Sequence, residues 1–102
     1  MTVTNEQVAL AMGYTQSATS EWWKLLPNRG WGAALPDFLG KPKRLAEVKA
    51  EMIRRGWPFA VHWGTTVGWS AYAWGIWHTG DTEAEAVCKA FVAANAEQEK
   101  GK

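Results

Sequence analysis

Residues 59–78 read FAVHWGTTVGWSAYAWGIWH, a run rich in aromatic and β-branched side chains. Such residues favour strands, and glycine between two runs of this kind favours a turn. The pattern predicts a β-hairpin with strands at 59–64 and 69–78, joined around Thr65–Gly68.

Both faces of the second predicted strand are apolar. Because side chains alternate along a strand, Tyr72, Trp74 and Ile76 fall on one face. The other face carries Trp69, Ala71, Ala73 and Trp77. A sheet with one side in solvent alternates apolar and polar residues, so we expect both sides of this sheet to be covered.

Two helices flank the hairpin in the sequence. Pro42 suits the first turn of a helix over 43–55. The last predicted helix covers 83–96, because Thr82 and Glu85 form a capping box at its start. Each helix has an apolar stripe at three- and four-residue spacing. The stripes are Leu45, Val48, Met52 and Ile53 in the first, and Ala84, Val87, Cys88, Phe91 and Val92 in the second.

A third, shorter helix is predicted at 5–12, where Thr4 and Gln7 form another capping box and Gly13 marks the end. From 14 to 41 no period holds, which predicts a long aromatic loop. The order of elements predicts one α+β domain spanning the chain, a small antiparallel sheet packed by two or three helices. A lone hairpin is marginal in water, so we expect an extra strand, from the loop or from a second subunit.

Tryptophan is the compositional anomaly, with 8 residues in a chain of 102. Its bulk and its indole N–H make full burial uncommon, so a core this small holds roughly three or four. The others are expected at a surface, a pocket or an interface. We assign Trp57, Trp63 and Trp69 to the core or to an interface.

Charge and cysteine content narrow the class of protein further. The net charge is +1, without the basic excess that long nucleic acid requires, so binding of such a polymer is not expected. No apolar run is long enough to cross a membrane. The single cysteine, Cys88, excludes an internal disulfide and fits a reducing cytoplasm.

Four segments carry signals of helix ends and core faces: Met12-Gly13-Tyr14, Leu35-Pro36-Asp37-Phe38-Leu39, Glu51–Trp57 and Asp81–Ala90. Together they resemble the phage ABA-sandwich domain family, small proteins encoded in phage and prophage genomes. The resemblance implies the α+β architecture, a phage origin and the cytoplasm of an infected bacterial host. It implies no catalytic residue, because the family has no general assigned activity. The tryptophan density departs from the family pattern.

Few residues support catalysis or metal binding. The histidines are His62 and His78, and Cys88 lies on an apolar helical stripe, where cysteine usually acts as a small buried hydrophobe. A structural zinc site needs four ligands, and no closely spaced pair is present. We therefore expect no enzymatic activity, no metal and no cofactor. Pairing of Cys88 with His78 near the start of the last helix is the catalytic alternative.

Aromatic faces combined with cations favour a small nucleotide-type ligand. Indoles stack on nucleobases with about 1–3 kcal/mol each, and basic side chains bind phosphate. The predicted ligand-binding residues are Trp22, Trp23, Arg29, Trp31, Lys43, Arg44 and Trp74.

These features lead to the hypothesis of a phage-encoded, non-catalytic protein that sequesters a nucleotide-type immune signal. A cyclic dinucleotide and an ADP-ribose derivative are the expected kinds of ligand. The alternative is a protein–protein interaction module or inhibitor that docks an aromatic surface on a host or phage protein. Homo-oligomerisation is expected with either function, since Trp and Tyr are enriched in subunit interfaces.

Overall fold

The structure is a computed structural model and describes residues 3–16, 22–23 and 37–100. Three helices and an antiparallel sheet lie within these residues, which confirms the predicted α+β class. In chain order the elements are α1 (Asn5–Ala11), β1 (Thr15–Gln16), β2 (Trp22–Trp23), α2 (Pro42–Arg54), β3 (Phe59–Gly64), β4 (Gly68–Ala73), β5 (Ile76–Gly80) and α3 (Glu83–Lys100).

Local signals set the ends of the first two helices. The Thr4 hydroxyl accepts the Gln7 N–H at 3.2 Å, and the Gln7 side chain accepts the Thr4 N–H at 2.9 Å. This reciprocal capping box starts α1, and Gly13 follows its end at φ 96°. Pro42 is the first residue of α2, which ends one residue before the predicted boundary.

The prediction of one strand over 69–78 is wrong, because the chain reverses within it. Gly68–Ala73 forms β4 and Ile76–Gly80 forms β5, with Trp74 and Gly75 between them. The sheet is three-stranded and antiparallel, with β4 in the centre. The extra strand that a lone hairpin requires is therefore supplied by the same segment.

The turn also changes which side chains share a face. Alternation restarts after it, so Trp77 lies opposite Tyr72 on one face and Ile76 lies opposite Ala73 on the other. The predicted strand 69–78 seemed apolar on both faces because it joined two strands, β4 and β5, into one. The face directed at α3 carries Phe59, Val61, Trp63, Trp69, Ala71, Ala73, Ile76 and His78, and the outer face carries Ala60, His62, Ser70, Tyr72, Trp77 and Thr79.

Helix α3 packs across β4 and β5, and α1 and α2 pack mainly on α3. Val87 and Phe91 of α3 are fully buried in the core cluster that also contains Ala71 and Ala73 of the sheet. The close approach depends on Gly80, where a Cβ atom would lie 2.7 Å from the Ala86 nitrogen. Of the tryptophans assigned to core or interface, Trp57 is buried, Trp69 packs partly buried on the core and Trp63 is exposed.

Two segments are more regular than predicted. Helix α3 continues to Lys100 instead of ending near Ala96, because good helix formers follow that position. The predicted loop over 14–41 contains a two-stranded ribbon formed by β1 and β2. None of the described helices combines the length and apolar character needed to cross a membrane.

Candidate interaction surface

The turn between β4 and β5 has an unusual residue for its conformation. Trp74 has φ 52° and Gly75 has φ 85°, so both central residues are left-handed, as in a type I′ turn. Asn-Gly or Gly-Gly is usual there, because the left-handed conformation strains a residue with a Cβ by about 1–2 kcal/mol. Trp74 is the one non-glycine residue at positive φ in the described part of the chain, and it is 44% exposed.

Three further side chains accompany Trp74 at this end of the sheet. The rings of Tyr72 and Trp77 form a cross-strand pair, with centroids 5.5 Å apart and planes inclined at 55°. Trp77 is 54% exposed on the outer face beside Tyr72, and Ile76 is 53% exposed on the opposite face, next to the turn. We call Tyr72, Trp74, Ile76 and Trp77 the aromatic tip.

The aromatic tip belongs to a stretch without charge. From Gly56 to Gly80 the sequence contains no lysine, arginine, aspartate or glutamate. A phosphate-bearing ligand needs cations or a helix N-terminus beside its stacking surface, and this stretch offers no cation. The hairpin that carries the aromatic tip therefore supplies no cation of its own. This uncharged stretch can be seen in the sequence. The net charge does not reveal it, because the charged residues before and after the stretch nearly cancel.

The predicted ligand-binding residues lie in different parts of the fold. Trp74 lies in the β4–β5 turn, whereas Lys43 and Arg44 lie in the first turn of α2. Trp22 and Trp23 form β2. Two further predicted residues, Arg29 and Trp31, lie outside the described residues. The structure brings none of the described basic residues of this set to the aromatic tip.

Lys43 and Arg44 of α2 differ in whether their charge is already paired with a carboxylate. Nη1 of Arg44 donates to the two carboxylate oxygens of Glu47 at 3.0 and 3.2 Å. Lys43 is exposed and forms no ion pair with the described acidic residues. Lys41, the N-cap residue, provides no side-chain cap, and the first turn carries no acidic side chain. Lys41 and Lys43 therefore stand at an uncompensated positive helix end.

An open cleft of about 520 Å³ lies where α1, α2 and α3 meet. Its central group is Arg55, which donates to Glu51 at 2.6 Å, to the Asn95 side chain at 2.9 Å and to the Ala11 carbonyl at 2.8 Å. The guanidinium carbon also lies 5.0 Å from the ring centroid of Trp57. The lining residues are Leu10, Ala11, Gly13, Arg54, Arg55, Trp57, Asn95 and Gln98.

The two arginines of this cleft share Glu51 but differ in exposure, since the Arg55 side chain is 20% exposed and the Arg54 side chain is 71% exposed. Arg54 donates to both oxygens of Glu51, at 2.9 and 2.6 Å, so two guanidinium groups share one carboxylate. Hydrogen bonds from Arg54 and then Arg55 lower the pKa of Glu51 to about 2 against the opposing effect of burial. The C-terminal ends of α1 and α2 add negative dipole ends here, which the arginines neutralise. Glu51, Arg54 and Arg55 therefore form a structural clamp at this cleft.

The chemistry of Cys88 and the histidines does not favour nucleophilic catalysis. Cys88 is fully buried, and burial raises the pKa of its thiol to about 12, so the nucleophilic thiolate is not formed near neutral pH. Burial, and then the charge of Lys89, lower the pKa of His78. His62 lies on the opposite face of the sheet. No cluster of three or more His, Cys, Asp or Glu side chains suited to a metal occurs among the described residues.

Comparisons with family models, with curated proteins and with solved structures returned no match. The resemblance to the phage ABA-sandwich family therefore stays a prediction from the sequence.

Proposed function

We propose that this chain is a non-catalytic protein–protein interaction module or inhibitor that docks its aromatic tip on a partner protein. The observation that carries the proposal is Trp74, an exposed indole in a left-handed turn that asparagine or glycine would form with less strain. Backbone strain of this kind concentrates at functional positions. A bulky residue that opposes the local preference of the turn is best explained by contacts its side chain makes outside its own chain.

The composition of the surface fits a protein partner. Trp and Tyr dominate interface energetics, and a well-packed anchor contributes about 2 kcal/mol or more. Docking of the aromatic tip desolvates no charged side chain of its own hairpin, because Gly56–Gly80 contains none. The penalty for an unpaired buried charge is thereby avoided.

The test is site-directed photocrosslinking in bacterial cells that produce the chain. A benzophenone side chain at position 74 is expected to capture one protein species. The matched control is position 67, because Val67 is exposed in the other turn of the sheet. With the captured protein purified, Trp74→Ala and Trp77→Ala should each weaken binding about thirty-fold, and Val67→Ala should leave it unchanged. Equal capture at both positions, or unchanged affinity in the tryptophan variants, would contradict the proposal.

Sequestration of a nucleotide-type immune signal is the second candidate function. It is favoured by Lys41 and Lys43 at the uncompensated N-terminal end of α2, where the helix dipole attracts phosphate. The predicted stacking residues Trp22, Trp23 and Trp31 precede this helix in the chain.

Calorimetry against cyclic dinucleotides and ADP-ribose derivatives tests this second function. A ligand bound at fixed stoichiometry should lose affinity in the double variant Lys41→Ala/Lys43→Ala. Lys49→Ala is the control, because it removes a cation of the same helix that is already paired with Glu83. A sequestering protein releases the ligand chemically intact on heat denaturation. Silence across the panel excludes the nucleotide hypothesis and leaves the docking hypothesis in place. For either function, the proposed place of action is the cytoplasm of an infected bacterial host.

A further inference from the structure

The hydrogen-bonding pattern distinguishes the two edges of the three-stranded sheet. Ala73 and Ile76 close the two-residue turn, so they form a hydrogen-bonded pair. Because the pairs alternate along an antiparallel ladder, His78 also directs its backbone groups at β4. Trp77 and Thr79 therefore direct their N–H and C=O groups away from the sheet.

The edge at β5 is guarded. The Lys89 ammonium group donates a hydrogen bond to the outward carbonyl of Thr79 at 2.9 Å. Lysine at a sheet edge is one of the devices by which proteins prevent strand addition. A second chain that approached β5 would have to displace this contact.

The edge at β3 has no such guard among the described residues. By the same alternation Ala60 and His62 bind β4, so Phe59, Val61 and Trp63 direct their N–H and C=O groups outward. The side-chain donors Arg55 and Lys89 bond to the backbone carbonyls of Ala11 and Thr79, and neither carbonyl lies in β3. The strand contains no charged residue, no proline and no bulge. These are the features that normally protect an edge.

The inner face of β3 is also incompletely covered. Helix α3 packs mainly across β4 and β5. Phe59 and Val61 are consequently only partly buried, and Trp63 is 54% exposed although it lies on the inner face. The open edge and the uncovered aromatic side chain belong to the same strand.

From these observations we infer that β3 pairs antiparallel with β3 of a second copy of this chain, about a two-fold axis at Val61. The three outward residues are symmetric about that position. Val61 then lies opposite the partner's Val61, and Phe59 lies opposite the partner's Trp63. Cross-strand aromatic pairs stabilise antiparallel sheets. Because β3 carries no charged side chain, the two-fold axis brings no like charges opposite each other. The paired chains form one continuous six-stranded sheet.

The β3–β3 interface of the inferred dimer buries little surface, so the dimer affinity is low. One strand pair and its inner-face side chains fall below the roughly 1,200 Å² of a standard interface. The dimer is therefore weak and depends on concentration. It uses a different edge from the aromatic tip, so the inference does not rest on the proposed docking function.

Disulfide trapping of the full chain tests the register. Val61→Cys should give a covalent dimer under mild oxidation, because Cα atoms of a hydrogen-bonded pair lie about 5.5 Å apart, within disulfide range. The native Cys88 is buried and does not compete. His62→Cys is the matched control, since its symmetry mate is a diagonal neighbour at about 7–8 Å, too far for a disulfide.

Sedimentation of a second variant tests the same inference without cysteine. The Val61 N–H points outward, so Val61→Pro removes two symmetry-related hydrogen bonds of the dimer and leaves the β3–β4 ladder intact. Circular dichroism should be unchanged, and the dimer dissociation constant should rise about thirty-fold. Trp74→Ala should leave the dimer unaffected. A chain that stays monomeric at millimolar concentration, equal trapping at positions 61 and 62, or a dimer unchanged by Val61→Pro would each overturn the inference.

Discussion

Trp74 is where local stability and the proposed function conflict. Trp74→Asn should relieve left-handed strain and raise the free energy of unfolding by about 1 kcal/mol, because asparagine suits this turn position. For a chain of this size the melting temperature should rise by about 4–8 °C, measured by thermal denaturation. The same variant should lose the docking partner.

The control for this prediction is Trp77→Asn. Trp77 lies in a strand and not at positive φ, so its replacement relieves no backbone strain. A melting temperature lowered by Trp74→Asn would show that the indole contributes to its own fold, which would remove the argument for an external contact.

Gly80 carries a second prediction at the scale of one residue. A Cβ atom there would meet the Ala86 nitrogen at 2.7 Å and the Glu85 Cβ at 2.9 Å, and backbone cannot move aside easily. Gly80→Ala should therefore lower the free energy of unfolding by about 2 kcal/mol or more. Gly64→Ala is the control, because its nearest neighbours are side-chain atoms at 3.4 Å. Equal denaturant midpoints for the two variants would contradict this account.

At the scale of elements, helices could be predicted because their signals are local. Thr4 with Gln7, and Pro42 ahead of an apolar stripe, act on the backbone within one turn of their own position. Their effect does not depend on the rest of the fold. The C-terminal end of α3 could not be placed in the same way, because no residue near Ala96 opposes the helix.

The strand pattern failed at the aromatic tip for a physical reason. A type I′ turn is recognised by Asn-Gly or Asp-Gly, and here Trp74-Gly75 forms it, so a strand-favouring residue occupied the turn position. Only the length of the predicted strand could have indicated the turn, because strands average about 5–6 residues and 69–78 is longer. The residue that concealed the turn is the residue on which the proposed function depends.

The candidate surface could be predicted only in part. Tryptophan excess pointed to exposed indoles, and Trp74 is among the predicted ligand-binding residues. The pairing of Trp77 with Tyr72 required the three-stranded register. The uncharged stretch from Gly56 to Gly80 is visible only in the local distribution of charged residues, which the net charge does not contain.

At the scale of the whole molecule, the Glu51–Arg55 clamp links all three helices and predicts acid sensitivity. Arg54 and Arg55 hold the pKa of Glu51 at about 2, below its ordinary value of 4.5. A lowered carboxyl pKa stabilises the fold above the ordinary value, and the contribution disappears as pH falls from about 4.5 to about 2. It amounts to at most about 3 kcal/mol, because Arg54 remains largely in solvent.

Urea denaturation at several pH values measures this effect. The free energy of unfolding should fall across that acid range, and Glu51→Gln should remove most of the dependence. The variant should also be less stable at neutral pH, because Arg55 would lose its charged partner beside Ala11 and Asn95. A Glu51→Gln chain with the same acid profile would assign the effect to other carboxylates.

The Lys89 contact with Thr79 has a consequence for assembly. The dimer inferred through β3 would still expose a β5 edge at each end, and the Lys89 ammonium group at each end would oppose further strand addition. Lys89→Met should turn a closed two-fold pair into an open-ended ribbon, because strand addition could then repeat without limit. Light scattering and thioflavin fluorescence would detect such fibres.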